Sequence, residues 1–270
     1  MKRLDSLTVY SKEELSSLWN IVKDRFPSQT VWVQKTRDGD YKLAIKKQYT
    51  EPFFKIFSKW LHQKIYQTEL EKLLFDYHIL SAEEHGVIFH SATEKVAESQ
   101  ELMISILLEK IRIITEISSH LKLEGFLQFG IEEYRQKMED IIEECLENYF
   151  LEQDYLEFLE LLRYFVEVEE CGFGHLSVVA QPDGKYQYFD ERMQNITKHC
   201  LERFVAEFEE EDPEPNDCLI TILILLLPEK VSLYGIENIK NHKFLNTLQN
   251  IFGERMQCIR GTDMIANKKM

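Results

Sequence analysis

The sequence predicts a mixed α/β (α+β) protein, rich in helix, with a mixed sheet and a helical middle region. Three observations carry that expectation. Glycine (10) and proline (6) are scarce in 270 residues, which favours long helices over many tight turns. Residues 51 to 119 repeat apolar side chains at helical spacing almost without a break. Short runs of period two stand at both ends of the chain, and two pairs of them flank Asp-Gly turns.

Residues 1 to 48 read as a small α/β unit. Leu7 to Tyr10 form a strand. Ser11 caps a helix with Glu14 as its capping-box partner, and Leu15, Leu18, Trp19, Val22 and Phe26 fall on one face. Thr30 to Gln34 and Tyr41 to Ile45 flank Asp38-Gly39, a hairpin signal. Residues 49 to 120 read as helical, opening at Pro52 and restarting at Ser81, whose capping-box partner is Glu84. The stripes there, such as Met103, Leu107, Ile111 and Ile114, are packing faces.

His120 to Gly130 breaks the pattern, and a domain boundary is expected near 121. A helix follows with Ile131, Tyr134, Met138, Ile142 and Cys145 on one face and glutamates on the other. A second helix, Leu151 to Val166, is apolar on nearly every side and is therefore expected to be buried on two sides. After Gly172 and Gly174 the period becomes two: His175 to Ala180 and Tyr186 to Phe189 flank Pro182-Asp183-Gly184. Helices are expected at about 195–208 and 239–252, and strands at Val231 to Tyr234 and Met256 to Ile259; Cys218 to Leu227 fits a buried helix or a buried strand by periodicity, and the Asn216/Asp217 cap and Pro228 favour helix. Residues 121–262 thus form an α/β domain, with an exposed acidic loop at Glu209 to Pro215 and a frayed tail at 263–270.

The net charge of −15 argues against nucleic acid, whose phosphates demand a basic face, and against anionic lipid. The longest apolar run, Cys218 to Leu227, is about half of a membrane span, so no membrane insertion is expected. The opening Met1-Lys-Arg-Leu-Asp5 has no apolar segment of the signal-peptide kind. Five dispersed cysteines without C-x-x-C spacing read as free thiols. Together these features place the protein in the cytoplasm.

Glu124-Gly-Phe-Leu-Gln-Phe129, Tyr155-Leu-Glu-Phe158, Leu161-Leu-Arg-Tyr-Phe-Val166, Asp217-Cys-Leu-Ile220 running to Leu227-Pro228, and Ile251-Phe252 carry a resemblance. In order and spacing they resemble the YtxC-like family of sporulation proteins from endospore-forming Firmicutes, best over about 121–260. The resemblance implies a cytoplasmic bacterial protein linked to sporulation. It brings neither catalytic residues nor a cofactor.

The residues themselves give no reaction. There is no phosphate loop, dinucleotide fingerprint or nucleophile elbow. The pairs Cys171/His175 and His199/Cys200 have no completing pair for zinc, so no metal and no cofactor are expected. Arg163 is the one candidate ligand-binding residue. It is the only Lys or Arg between Lys137 and Lys185, and it lies three residues after Glu160 and four before Glu167. Its guanidinium is expected to be partly buried, either paired with those glutamates or reading an anionic ligand. The reading that follows is a non-catalytic binding protein whose partner is another protein or a small molecule. An enzyme with a sequence-dispersed acid/base site is the alternative.

Overall fold

In the computed structural model the described residues are 6–77, 80–208 and 214–261, with the side chains of 204–208 set aside. Most of the expected acidic loop and the tail from 263 lie outside them. The fold is helix-rich and mixed α/β, with two four-stranded sheets in place of one. Internal contacts divide the chain after Phe150 into two compact units.

The first unit holds β1 (Ser6–Ser11), β2 (Val31–Lys35), β3 (Tyr41–Lys46) and β4 (His120–Lys122), in sheet order β2-β3-β1-β4. The β2–β3 hairpin turns at Gly39, whose φ of 93° is open to a residue without a Cβ. β1 pairs antiparallel with β3 and parallel with β4 (Val9 opposite Leu121). The expected Ser11–Glu14 capping box does not form. The helix α1 (Ser16–Val22) begins later, and Ser11 Oγ accepts instead from the Glu13 amide, a short turn that competes with a cap.

Three long helices follow: α2 (Thr50–Phe75), α3 (Ala82–Glu98) and α4 (Gln100–Ile117). The Ser81/Glu84 capping box at α3 forms as the sequence suggests. On α2 the rings of Phe53, Phe57 and Trp60 stack at centroid distances of 5.5 and 5.8 Å, filling the core. The short α5 (Leu123–Phe129) leads into α6 (Glu132–Val168), one helix of 37 residues where the sequence suggested two. Neither proline nor glycine interrupts 131–171, so nothing stops it. Leu121, Leu123, Phe126, Tyr134 and Met138 all join the first unit's core, which is why the units part at 150 and not at 121.

His62 is buried on α2, and Tyr134 Oη lies 2.9 Å from its Nδ1. Burial holds the imidazole below its ordinary value of 6.5, because the charged form is poorly solvated there. The stabilising effect of this neutral histidine is therefore complete above 6.5 and is lost as pH falls through the lower folded-state value. Wild-type chain should lose stability on going from about pH 7 to pH 5, and His62→Gln should lose less. Parallel melting curves from both proteins over that window would reject the assignment.

The second unit holds β5 (Phe173–Ala180), β6 (Tyr186–Phe189), β7 (Pro228–Tyr234) and β8 (Met256–Ile259), in order β6-β5-β7-β8. Gly184, at φ 85°, turns the β5–β6 hairpin; β7 runs parallel to both β5 and β8. The central strands are buried on both faces, Leu176 to Ala180 and Val231 to Tyr234 without a break, as parallel strands require. Around them lie α7 (Thr197–Phe208), α8 (Pro215–Leu226) and α9 (His242–Phe252).

Candidate functional site

The second half of α6 supplies the least ordinary surface of the protein. Only Leu159 and Val166, seven residues apart, are buried in the second unit's core. Leu151, Tyr155, Leu156, Phe158, Leu161, Tyr164, Phe165 and Val168 are exposed. The expected burial on two sides is thus corrected. A single seam of side chains is enough to fix a helix on a core, and the rest of the apolar circumference faces outward. At about 100° per residue, seven of the exposed residues, from Tyr155 round to Tyr164, follow one another over roughly half the circumference. At about 200 Å² per aromatic side chain, the four aromatic residues alone leave roughly 400 Å² uncovered.

This surface continues into a groove of about 440 Å³ between α6, α8 and α9. Tyr155, Phe158 and Leu162 form one wall, Ile220 and Ile224 of α8 another, and Phe244 of α9 the third. Local sequence signals set these helices. Pro215 occupies the first turn of α8, and Leu227 ends it in a left-handed conformation (φ 42°). Asn241 Oδ1 accepts from the Phe244 amide and starts α9, and Gly253 closes it. Tyr155 Oη and Thr247 Oγ1 meet at 2.7 Å, tying α6 to α9. The charged groups of the groove are Asp217 and Lys243; its other polar side chains are Tyr155, Thr221, Asn241 and Thr247. The lining is mostly apolar, as in grooves that take up apolar surface.

Arg163 is not half-buried. Its side chain is 62% exposed and, among the described residues, its ion pair is with Glu167, Nε to Oε1 at 2.9 Å. It stands beside the buried seam and does not line the groove. An exposed i, i+4 pair contributes little, so Arg163→Leu should shift stability by less than about 0.5 kcal/mol. A loss above about 2 kcal/mol in a denaturant titration would restore a buried role.

Elsewhere the chemistry is sparse. His175 Nε2 lies 2.8 Å from Ser232 Oγ on adjacent strands, and Glu191 accepts from the His175 amide. Ser232 is buried, and neither residue lines a cavity described here. A polar pocket of about 480 Å³ in the first unit contains Arg112, which donates to Glu51 at 2.7 Å. Cys171 is exposed, with Arg255 Nη1 3.3 Å from its sulfur, whereas Cys145, Cys200 and Cys218 are buried; burial pushes the Cys200 thiol up to about 11. Among the described residues no group of three or more His, Cys, Asp or Glu stands where it could hold a metal ion. No described helix is long and apolar enough to cross a membrane.

Sequence reasoning missed the groove, because a helix apolar on all sides reads as buried. The usable signal was the excess: Leu151 to Val168 carries more apolar faces than two neighbours could cover.

A curated relative, the uncharacterized protein YtxC of Bacillus subtilis (strain 168), is 27% identical over 141 residues. That segment is 51% of this chain and 47% of the relative, so the match spans about half of the relative's length. No solved structure matches the chain. The YtxC-like family matches residues 52–257, from the first turn of α2 to the start of β8, and so takes in the groove and the exposed face of α6. With most of its length inside that match, the protein belongs to the YtxC-like family.

Proposed function

We propose that the chain is a non-catalytic, cytoplasmic, sporulation-associated binding protein, and that it acts through the apolar groove and exposed face of α6. One observation carries the reading: eight large apolar side chains stand exposed within 18 residues of one helix. Exposed apolar patches of several hundred Å² are uncommon on proteins that act alone, and they mark surfaces which another molecule covers. The acidic surface and the dispersed cysteines support a cytoplasmic setting. The link to sporulation comes from the resemblance read in the sequence at 121–260. Arg163 belongs to the proposal only as a flanking cation that a partner's carboxylate could meet.

The test is a chromosomal Phe158→Ser/Leu161→Ser variant. Both side chains are exposed, so the protein should fold and accumulate normally. Heat-resistant spore counts should fall towards those of a deletion strain. Normal counts at normal protein level would sink the reading.

A further inference from the structure

We infer that the occupant of the groove is an amphipathic helix of another protein, with lysine or arginine flanking its apolar stripe. The inference rests on the binding reading above and names the partner's chemistry. The exposed face runs from Leu151 to Val168, about 25 Å at the rise of an α-helix. That length suits a partner helix of about five turns laid into a groove, and it exceeds what a small ligand would cover.

Charge selects among the possible occupants. Asp154 and Glu157 are exposed and fall within the arc of apolar residues, Asp154 between Phe165 and Leu161 and Glu157 between Val168 and Tyr164. In the groove itself Asp217 of α8 stands with Lys243 of α9. The site therefore presents three carboxylates to one ammonium, the flanking Arg163 being paired with Glu167, on a chain of net charge −15. A second copy would bring the same carboxylates to the interface and be repelled, and so would an anionic membrane. A helix with basic flanks would be attracted to the site and held in register by Asp154 and Glu157.

The experiment uses the full chain and fluorescein-labelled peptides of about 18 residues, read by anisotropy. One is an amphipathic leucine/lysine helix, one its leucine/glutamate analogue, and one a scrambled leucine/lysine peptide without helical periodicity. The leucine/lysine helix should bind at least about tenfold more tightly than either other peptide. Phe158→Ser/Leu161→Ser should weaken it at least about tenfold, whereas Ile117→Ser, at an exposed site of the first unit, should not. Asp154→Lys/Glu157→Lys should move the preference towards the glutamate analogue.

Absence of leucine/lysine binding overturns the inference. So does binding that survives Phe158→Ser/Leu161→Ser, which would be attraction to the acidic surface alone. Equal, Phe158-dependent binding of the glutamate analogue overturns the charge assignment. Phe158-dependent sedimentation with phosphatidylglycerol vesicles, or Phe158-dependent dimerisation in ultracentrifugation, overturns it in favour of a membrane or a second copy. None of these outcomes alters the spore count of the variant, on which the binding reading stands separately.

Discussion

Arg135→Leu is expected to lower the stability of the N-terminal unit by about 3 kcal/mol, towards the lower end of what breaking a buried ion pair costs. The guanidinium, on α6, joins three helices. Its Nε donates to Glu69 Oε2 on α2 at 2.7 Å, and its two terminal nitrogens donate to the carbonyls of Leu127 (2.7 Å) and Gln128 (3.2 Å). Those carbonyls are among the last of α5 and have no partner further along that helix. Glu69 is 8% exposed at its side chain, and Lys72 is its other partner, at 2.8 Å. Burial alone would push the Glu69 carboxyl up, but Lys72 and Arg135 together outweigh it and hold the group below its ordinary 4.5. The contribution of this pairing is thus fully present above pH 4.5 and is lost as pH falls through the lower folded-state value.

Removing Arg135 leaves the carboxylate with an exposed lysine and strips two carbonyls. Arg135→Lys keeps the charge but not the fork, and should cost less. Adding Glu69→Leu to Arg135→Leu should recover part of the loss, since no unpaired buried charge then remains. All three tryptophans, Trp19, Trp32 and Trp60, lie in the first unit, so their fluorescence follows its unfolding alone. A shift of less than about 1 kcal/mol for Arg135→Leu in that signal would mean that the ion pair contributes no more than a surface pair.

Arg135 also marks where the sequence ceased to be legible. Arg163 stood out there because it is isolated among apolar residues, yet it is the exposed cation, and Arg135, two residues from Lys137, is the inner one. The better signal lay on α2. His62, Ile65 and Glu69 share one helical face, and a carboxylate on an otherwise buried face implies a partner cation. Elements set by nearby residues were readable: both Asp-Gly hairpins, the Ser81/Glu84 box, and the end of α8 before Pro228, although α8 starts at Pro215 and not on an Asn216/Asp217 cap. What was not readable depends on residues far apart in the chain. The parallel pairings β1–β4 and β5–β7–β8 join strands separated by whole helices, and no local pattern distinguishes one four-stranded sheet in each unit from a single larger one. The same limit hid the groove. Periodicity tells which faces of α6 are apolar, but only the surrounding packing tells which of them is covered.

That distinction can be measured by one substitution made at two places. Leu223 on α8 is fully buried among the second unit's core, and Leu161 on α6 is 68% exposed. Leu223→Ala should cost about 3 kcal/mol, from lost transfer energy and from the cavity left in a packed interior. Leu161→Ala deletes the same atoms and should stay within about 0.5 kcal/mol, because those atoms are already in contact with water. Circular dichroism with urea suits the comparison, since the second unit has no tryptophan. A cost above about 2 kcal/mol for Leu161→Ala would mean that this face packs within the chain and is not available to a partner. The expected contrast gives the functional reading its physical content. A leucine that contributes nothing to the fold, in a run with seven other exposed apolar residues, contributes only when something else covers it. The free energy gained there, at about 25 cal/mol per Å² of apolar surface removed from water, belongs to association and not to folding. Leu161→Ala should therefore be silent in every stability measurement and weaken only the binding of the partner.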